Sequence, residues 1–279
     1  MFNFIIISRN RRSLIENAID FALSNQNIRI HLMDMGSTYK PLIQYLKQIE
    51  SRASVTVTYL ENLGPRRLWI SQDFQRIASS ANGFFLSDGD IDYSYTSTGI
   101  FEHFVNLSKK YPGIRKIGAA LRIDDLPQEF SKTQKIIDSE LSNWDKRRMI
   151  SENLYFAPLD TQFAYYPKYT QDFFLWPSFR IAGQYQVRHA PWYTDYENLS
   201  HEEAFYIKNA LKWGNAGTSH ERGVRINDRN PEDLSVIKFH RLIRLLFLMT
   251  PKVGSRIISL LIRIKNKDSF LNVNLMKSL

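Results

Sequence analysis

The chain has 279 residues, enough for one large or two small domains, and its 43% hydrophobic and 13% aromatic content excludes a disordered polymer. It contains no cysteine, which excludes a disulfide scaffold, a thiol nucleophile and any Cys-ligated zinc or iron–sulfur centre, and points to a reducing cytosol. With 37 Lys+Arg against 28 Asp+Glu the formal charge is +9, so nucleic acid, anionic membrane and phosphate-rich substrates stay open until the excess is located.

The first apolar run, Phe2–Ser8, lacks the basic lead and small-residue cleavage site of a signal peptide and reads as a buried strand. A helix is expected over Ser13–Asn25, with apolar positions at Leu14, Ala18, Ile19, Ala22 and Leu23. Ile28–Met35 reads as a second strand, Lys40–Glu50 as a helix, Val55–Leu60 as a third strand and Leu68–Ala81 as a further helix. Gly83–Ser87, Gly99–Tyr111 and Ile117–Arg122 continue as strand, helix and strand. Apolar strands alternating with helices predict an α/β domain with a mostly parallel sheet, whose ligands sit at the carboxyl ends of the strands. From Pro127 the pattern is irregular, with strand-like pieces at Thr161–Tyr166 and Tyr185–His189 and a helix over Ser200–Trp213, where Ser200 and Glu203 have capping-box spacing.

The turn after the first strand, Ser8-Arg9-Asn10-Arg11-Arg12, holds no glycine, which excludes a dinucleotide fingerprint and a P-loop. The sharpest local signal lies after the fourth strand, where Ser87-Asp88-Gly89-Asp90 places two carboxylates one residue apart around a small residue. Hard oxygen donors of this kind suit Mg²⁺ or Mn²⁺ holding a diphosphate, although Asp-Gly turns also serve simply as solvated caps.

Four segments occur in a telling order: Ser8-Arg9 in the first turn, Met33-Asp34-Met35-Gly36-Ser37 after the second strand, Glu61-Asn62-Leu63-Gly64-Pro65-Arg66-Arg67-Leu68-Trp69 before a helix, and Ser87-Asp88-Gly89-Asp90-Ile91. In order and spacing they resemble a GT-A glycosyltransferase of the glycosyltransferase family 2 type over roughly the first 125 residues. The resemblance implies a GT-A (Rossmann-like) sheet flanked by helices. It also implies metal-dependent, inverting transfer from a nucleotide-diphosphate sugar, UDP-linked, to a saccharide or lipid-linked glycan in bacterial surface polysaccharide synthesis. It places Ser8, Arg9, Asp34, Ser37, Arg66 and Arg67 around the donor, and Asp88 and Asp90 on the metal (Mn²⁺ or Mg²⁺) and the ribose–diphosphate. His189 or His220 would be a further metal ligand. Residues 1–125 would then bind the donor, 126–233 would form the acceptor-binding and catalytic half, and 234–279 a basic helical tail.

The same family carries a second acidic box, and here Glu202-Glu203 with Gly214 eleven residues after Glu203 keeps its spacing. Glu203 would stand where the family's base stands, taking a proton from the acceptor hydroxyl. Asp160, in Leu159-Asp160-Thr161, and Asp195, after the aromatic His189-Ala-Pro-Trp-Tyr-Thr194 run, are alternatives for the same role. Arg122-Ile-Asp-Asp125 and Arg188–Tyr193 are two further polar clusters on the expected acceptor side. The wealth of Trp and Tyr over residues 144–213 fits either a saccharide groove or a loop-rich core.

Residues 234–267 hold eight basic and no acidic side chains, leaving 29 basic against 28 acidic elsewhere. The charges alternate with large aliphatics, Lys252, Arg256 and Arg263 at helical spacing, and Pro251 divides the stretch. No apolar run approaches the ~20 residues of a membrane span. An amphipathic pair of helices on an anionic membrane surface is expected, peripheral at the cytoplasmic face of the cell membrane, and not a nucleic-acid interface.

Overall fold

The computed structural model describes residues 1–62, 65–80, 82–170 and 177–210, with the backbone alone at 65–67, together with positions 253, 254, 256, 257 and 260. Strand β1 (Phe2–Ser8) pairs in parallel with β2 (Ile28–Met35) on one side and β4 (Phe84–Ser87) on the other, and β2 pairs in parallel with β3 (Val55–Leu60). Beyond β4 the sheet continues through β9 (Ala164–Tyr166), β6 (Lys116–Ala119), β10 (Ser178–Ile181), β8 (Leu154–Phe156) and β7 (Met149–Ser151), giving nine strands in the order β3-β2-β1-β4-β9-β6-β10-β8-β7. Only β8 and β9 run against the direction of the rest, so the sheet is mostly parallel, as expected.

Alternation along β1 builds a two-sided core. Phe4 and Ile6 face one buried cluster with α1 (Arg12–Leu23), α2 (Lys40–Ile49) and α5 (Ile100–Lys110), while Ile5 faces a second with Trp69, Phe74 and Phe84. The first cluster is dense in aromatics: Phe21 stacks on Tyr93 at 4.6 Å, and Phe85 meets Phe101 edge-on at 4.7 Å.

The expected helix over Leu68–Ala81 is two, α3 (Pro65–Ile70) and α4 (Gln72–Ala78). Ser71 takes an extended ψ of 130° between them and caps α4 through the Phe74 amide, and the bend brings Trp69 edge-on to Phe74 at 4.9 Å. Helix α6 (Thr133–Leu141) and the β7–β8 hairpin, turned at Asn153 with φ 58°, lie in the region that the sequence left irregular. Because β9 sits between β4 and β6, residues from both halves of the chain share one sheet. A separate two-stranded ribbon joins β5 (Ile91–Asp92) to β11 (Arg188–His189). Among the described residues, no helix is long and apolar enough to cross a membrane. Most of the basic tail lies outside the described residues, but Arg256 and Leu260 line a cleft of about 450 Å³ with Arg115 and Lys168.

Candidate active site

Parallel pairing aligns the carboxyl ends of β1, β2 and β4, and the register sets Ser8 directly opposite Asp34. Ser8 Oγ donates to Asp34 Oδ1 at 3.2 Å, Ser37 Oγ donates to the same oxygen at 2.5 Å, and the Ser37 amide donates to Oδ2 at 3.0 Å. The Asn10 amide donates to Ser37 Oγ at 3.0 Å, and Asn10 Oδ1 accepts from the Thr38 and Tyr39 amides at 2.7 and 3.0 Å. Asn10 makes this turn at a φ of 51°, a left-handed conformation that Asn tolerates better than most residues. The structure therefore brings Ser8, Asp34 and Ser37 together, with the buried Asp34 carboxylate tying the first two βα turns to each other.

The acidic turn follows β4 on the same edge. The Asp88 amide donates to the Thr161 carbonyl at 3.1 Å and Thr161 Oγ1 donates back to Asp88 Oδ2 at 2.7 Å, so the bend leading into β9 fixes the first carboxylate. Gly89 packs on β1: a Cβ there would stand 2.2 Å from the Ile7 carbonyl oxygen. The β5–β11 ribbon sets the second carboxylate. It pairs His189 with Ile91, lets the Ala190 amide donate to the Asp90 carbonyl at 2.9 Å, and brings His189 Nε2 to 3.4 Å from Asp90 Oδ2.

Arg11 links this turn to the other acidic pair. Its Nη1 lies 3.6 Å from Asp90 Oδ2, while Nε and Nη2 grip Glu203 Oε2 and Oε1 at 2.9 and 2.5 Å, and its guanidinium stacks 3.5 Å from the centre of the Tyr206 ring. Burial would lower the Arg11 pKa, but the Glu203 hydrogen bonds and the Asp90 charge more than offset it and hold the cation. Beside it, Glu202 receives the Arg12 amide at 2.7 Å, the Ser13 amide at 3.2 Å and Ser13 Oγ at 2.5 Å, capping α1 from another part of the chain. These contacts dock helix α7 (His201–Asn209), which is capped by Ser200 through the Glu203 amide as its spacing suggested; positions 211–213 of the expected helix lie outside the described residues.

The two turn carboxylates are pushed apart. Burial, then Asp90 and Asp160, raise the Asp88 pKa well above the carboxylate range. Burial acts the same way on Asp90, but His189 and Arg11 overcome it and hold Asp90 low. Behind Asp88 lies Lys116, fully buried at the start of β6, its Nζ 3.3 Å from the Asp160 carbonyl oxygen; burial brings its pKa down to about 7 against the opposing pull of Asp160 and Asp88.

The remaining candidates separate. Arg9 reaches α7 instead, Nη2 donating to the Asn209 carbonyl at 3.1 Å. Asp195 spends Oδ1 on the Glu197 and Asn198 amides and Oδ2 on the Asn198 side chain. Asp160 is exposed, and its Oδ1 accepts the amide of the next residue, Thr161, at 2.9 Å. His220 and the side chains of Arg66 and Arg67 lie outside the described residues. Three residues that the sequence reading did not single out hold the site together: Arg11, Thr161 and Lys116. Thr161 had a signal, as the neighbour of a candidate acid. Arg11 was one of three arginines in a single turn, and Lys116 stood at the start of an apolar run, so neither had one.

Among the described residues, no three His, Asp or Glu side chains cluster so as to hold a metal by themselves. Mg²⁺ or Mn²⁺ in nucleotide sites needs less, since one or two carboxylates together with substrate phosphates and water complete the shell. Asp88 and Asp90 supply two carboxylates one residue apart at the carboxyl edge of the strands, and hard oxygen donors of this kind fit such an ion.

No protein-family model matches the chain, and no curated protein matches it. Among solved structures, it is similar to the mannosyltransferase PcManGT from Pyrobaculum calidifontis, solved in complex with GDP-Man and Mn²⁺. The match has 11% identity and a TM-score of 0.46, and covers 91% of this chain and 73% of that one.

Proposed function

We propose that this chain is a glycosyltransferase of the GT-A type, moving a sugar from a nucleotide-diphosphate donor, UDP-linked, to a saccharide or lipid-linked glycan. The observation that carries the reading is the Asp88-Gly89-Asp90 turn at the carboxyl edge of parallel strands, beside the Ser8–Asp34–Ser37 network. Asp88 and Asp90 would hold Mn²⁺ or Mg²⁺, which when bound neutralises the charge developing on the leaving diphosphate. Thr161 and His189 keep the two carboxylates apart and oriented, and Gly89 lets the turn lie flat on β1. Residues 234–267 hold the enzyme at the anionic cytoplasmic membrane surface, where a lipid-linked acceptor is found.

Of the three candidate bases, Asp160 fits the chemistry best. Glu203 commits both oxygens to Arg11 and Asp195 commits both to its own loop, whereas Asp160 is exposed and directly precedes the threonine that holds Asp88. In the proposed step Asp160 takes the acceptor hydroxyl proton as that oxygen bonds to the anomeric carbon. The bond from the anomeric carbon to the phosphate oxygen breaks, its electron pair leaves with the nucleoside diphosphate, and the single displacement inverts the centre. Glu203 then acts by holding Arg11 against Asp90. Asp160→Asn is expected to bind UDP with Mn²⁺ as the parent does, by calorimetry, while sugar transfer falls about 10²- to 10⁴-fold, the usual size of a general-base contribution. Transfer at the parental rate in Asp160→Asn, with loss in Glu203→Gln, would return the base to Glu203.

A further inference from the structure

Two polar clusters that stood apart in the sequence, around Arg122 and Arg188, meet in space. Arg188 Nε lies 3.0 Å from Asp125 Oδ2, Arg122 Nε reaches the same oxygen at 2.9 Å and Asp124 Oδ1 also at 2.9 Å, and Tyr193 Oη donates to Asp125 Oδ1 at 2.6 Å. The Arg188 guanidinium lies against two rings, 3.6 Å from the centre of Tyr95 and 4.7 Å from that of Tyr193, and the Arg122 guanidinium stands 5.3 Å from the centre of Tyr95. Strand register ties this assembly to the acidic turn, because Arg188 pairs with Asp92 and the next residue, His189, lies beside Asp90.

Tyr95 is the exposed member, 53% open to solvent despite the guanidinium on it. Its loop is pinned on both sides: Ser94 N donates to Asp92 Oδ1 at 2.9 Å, and Ser97 N donates to the Gln184 carbonyl at 2.9 Å. Tyr93, two residues earlier, is buried in the aromatic core. An aromatic ring held rigidly outward loses little entropy on receiving a ligand. Next to it the Asp124 carboxylate takes Arg122 Nε on Oδ1 at 2.9 Å and Arg122 Nη2 on Oδ2 at 3.3 Å, and at 64% exposure it keeps its outward lone pairs open to hydroxyl hydrogens.

Charge decides what fits. Two arginines face two aspartates, so the assembly is neutral and offers nothing extra to a phosphate or an acidic sugar. An aromatic ring about half open to solvent, beside a hydrogen-bond acceptor, matches a neutral pyranose, which packs its C–H face on the ring and directs hydroxyls at the carboxylate. We propose that Tyr95 and Asp124, braced by Arg188, Arg122, Asp125 and Tyr193, form the subsite that receives a neutral sugar ring of the acceptor. The inference rests on the glycosyltransferase reading for its meaning but has its own readout.

The test is saturation-transfer NMR on the full chain with methyl glycosides of glucose, galactose and mannose, and with the matching hexose 6-phosphates, while UDP binding is measured in parallel. Transfer to the ring protons of at least one neutral glycoside is expected, with affinity about five- to tenfold lower in Tyr95→Ala, kept in Tyr95→Trp, and weakened in Asp124→Asn, all with unchanged UDP binding. No signal from any neutral glycoside in the parent, an unchanged signal in Tyr95→Ala, or a stronger signal from the 6-phosphates overturns the proposal. A Tyr95-dependent glycoside signal without any nucleotide binding would keep the sugar subsite and instead overturn the glycosyltransferase reading.

Discussion

A methyl group at Gly89 would stand 2.2 Å from the Ile7 carbonyl oxygen, a contact with rigid backbone that no rotamer relieves. Gly89→Ala is therefore expected to lower stability by about 1–3 kcal/mol and to displace both flanking carboxylates. Urea unfolding together with a loss of nucleotide binding checks this, and parental values for both would show that the turn does not depend on its seat against β1. At this scale the sequence was most legible where chemistry is local: two carboxylates around a glycine after an apolar strand announce themselves, and so does a Ser-x-x-Glu cap. It was least legible where a role depends on a distant partner. Asp34 turned inward to Ser8 and Ser37, and Glu203 to an arginine 192 residues away, through contacts that no spacing encodes. His189 was named as one of two candidate metal-ligating histidines and within a polar, aromatic cluster, and it was strand pairing, not its neighbours in sequence, that brought it beside Asp90.

Strands β2 and β3 have the bounds read from apolar runs, and α1, α2 and α5 fall within two residues of theirs, because long periodic segments bury one continuous face. The break between α3 and α4 was hidden because Ser71 sits inside an otherwise helical pattern, and the cost of the bend is met by packing Trp69 on Phe74. The short strands β7, β8 and β10 span three or four residues and pair chiefly with one another or with β6, so they carry no period of their own. Helix α7 has no fully buried residue and is held by Glu202, Glu203, Arg9 and the ring contact of Phe205 with Tyr39, which makes it an element fastened by charge more than by apolar burial. The basic tail is the other element defined by charge. Replacing Lys252, Arg256 and Arg263 by Gln in the full chain is expected to lower partition onto vesicles containing phosphatidylserine by over tenfold at physiological salt, since each basic residue near such a surface contributes about 1 kcal/mol. Equal co-sedimentation of parent and variant would remove the membrane from the proposed function.

At the scale of the whole molecule, the described residues build one nine-stranded mixed sheet with a small ribbon beside it; the parallel half of the sheet carries the acidic turn and the β9 insertion brings in Thr161, so neither half of the sequence forms the site alone. That arrangement follows from an α/β pattern legible in the first half, but the sequence gives no sign that Ala164–Tyr166 slips antiparallel between β4 and β6. The net charge also resolves at this scale: with the tail set aside, the body carries 29 basic and 28 acidic groups, as suits a domain whose crevice gathers several carboxylates. The central claim, that this crevice binds and activates a nucleotide-diphosphate sugar through Asp88, is tested most directly by nucleotide release. Parent and Asp88→Asn would be incubated with a panel of UDP- and GDP-sugars, with and without Mn²⁺, after matched thermal unfolding shows both to be folded. The account predicts Mn²⁺-stimulated release of UDP from at least one donor by the parent and a loss of more than a hundredfold in Asp88→Asn, in line with the removal of a group that stabilises transition-state charge. Release that continues unchanged in the variant, or no release from any donor by the parent, would contradict it.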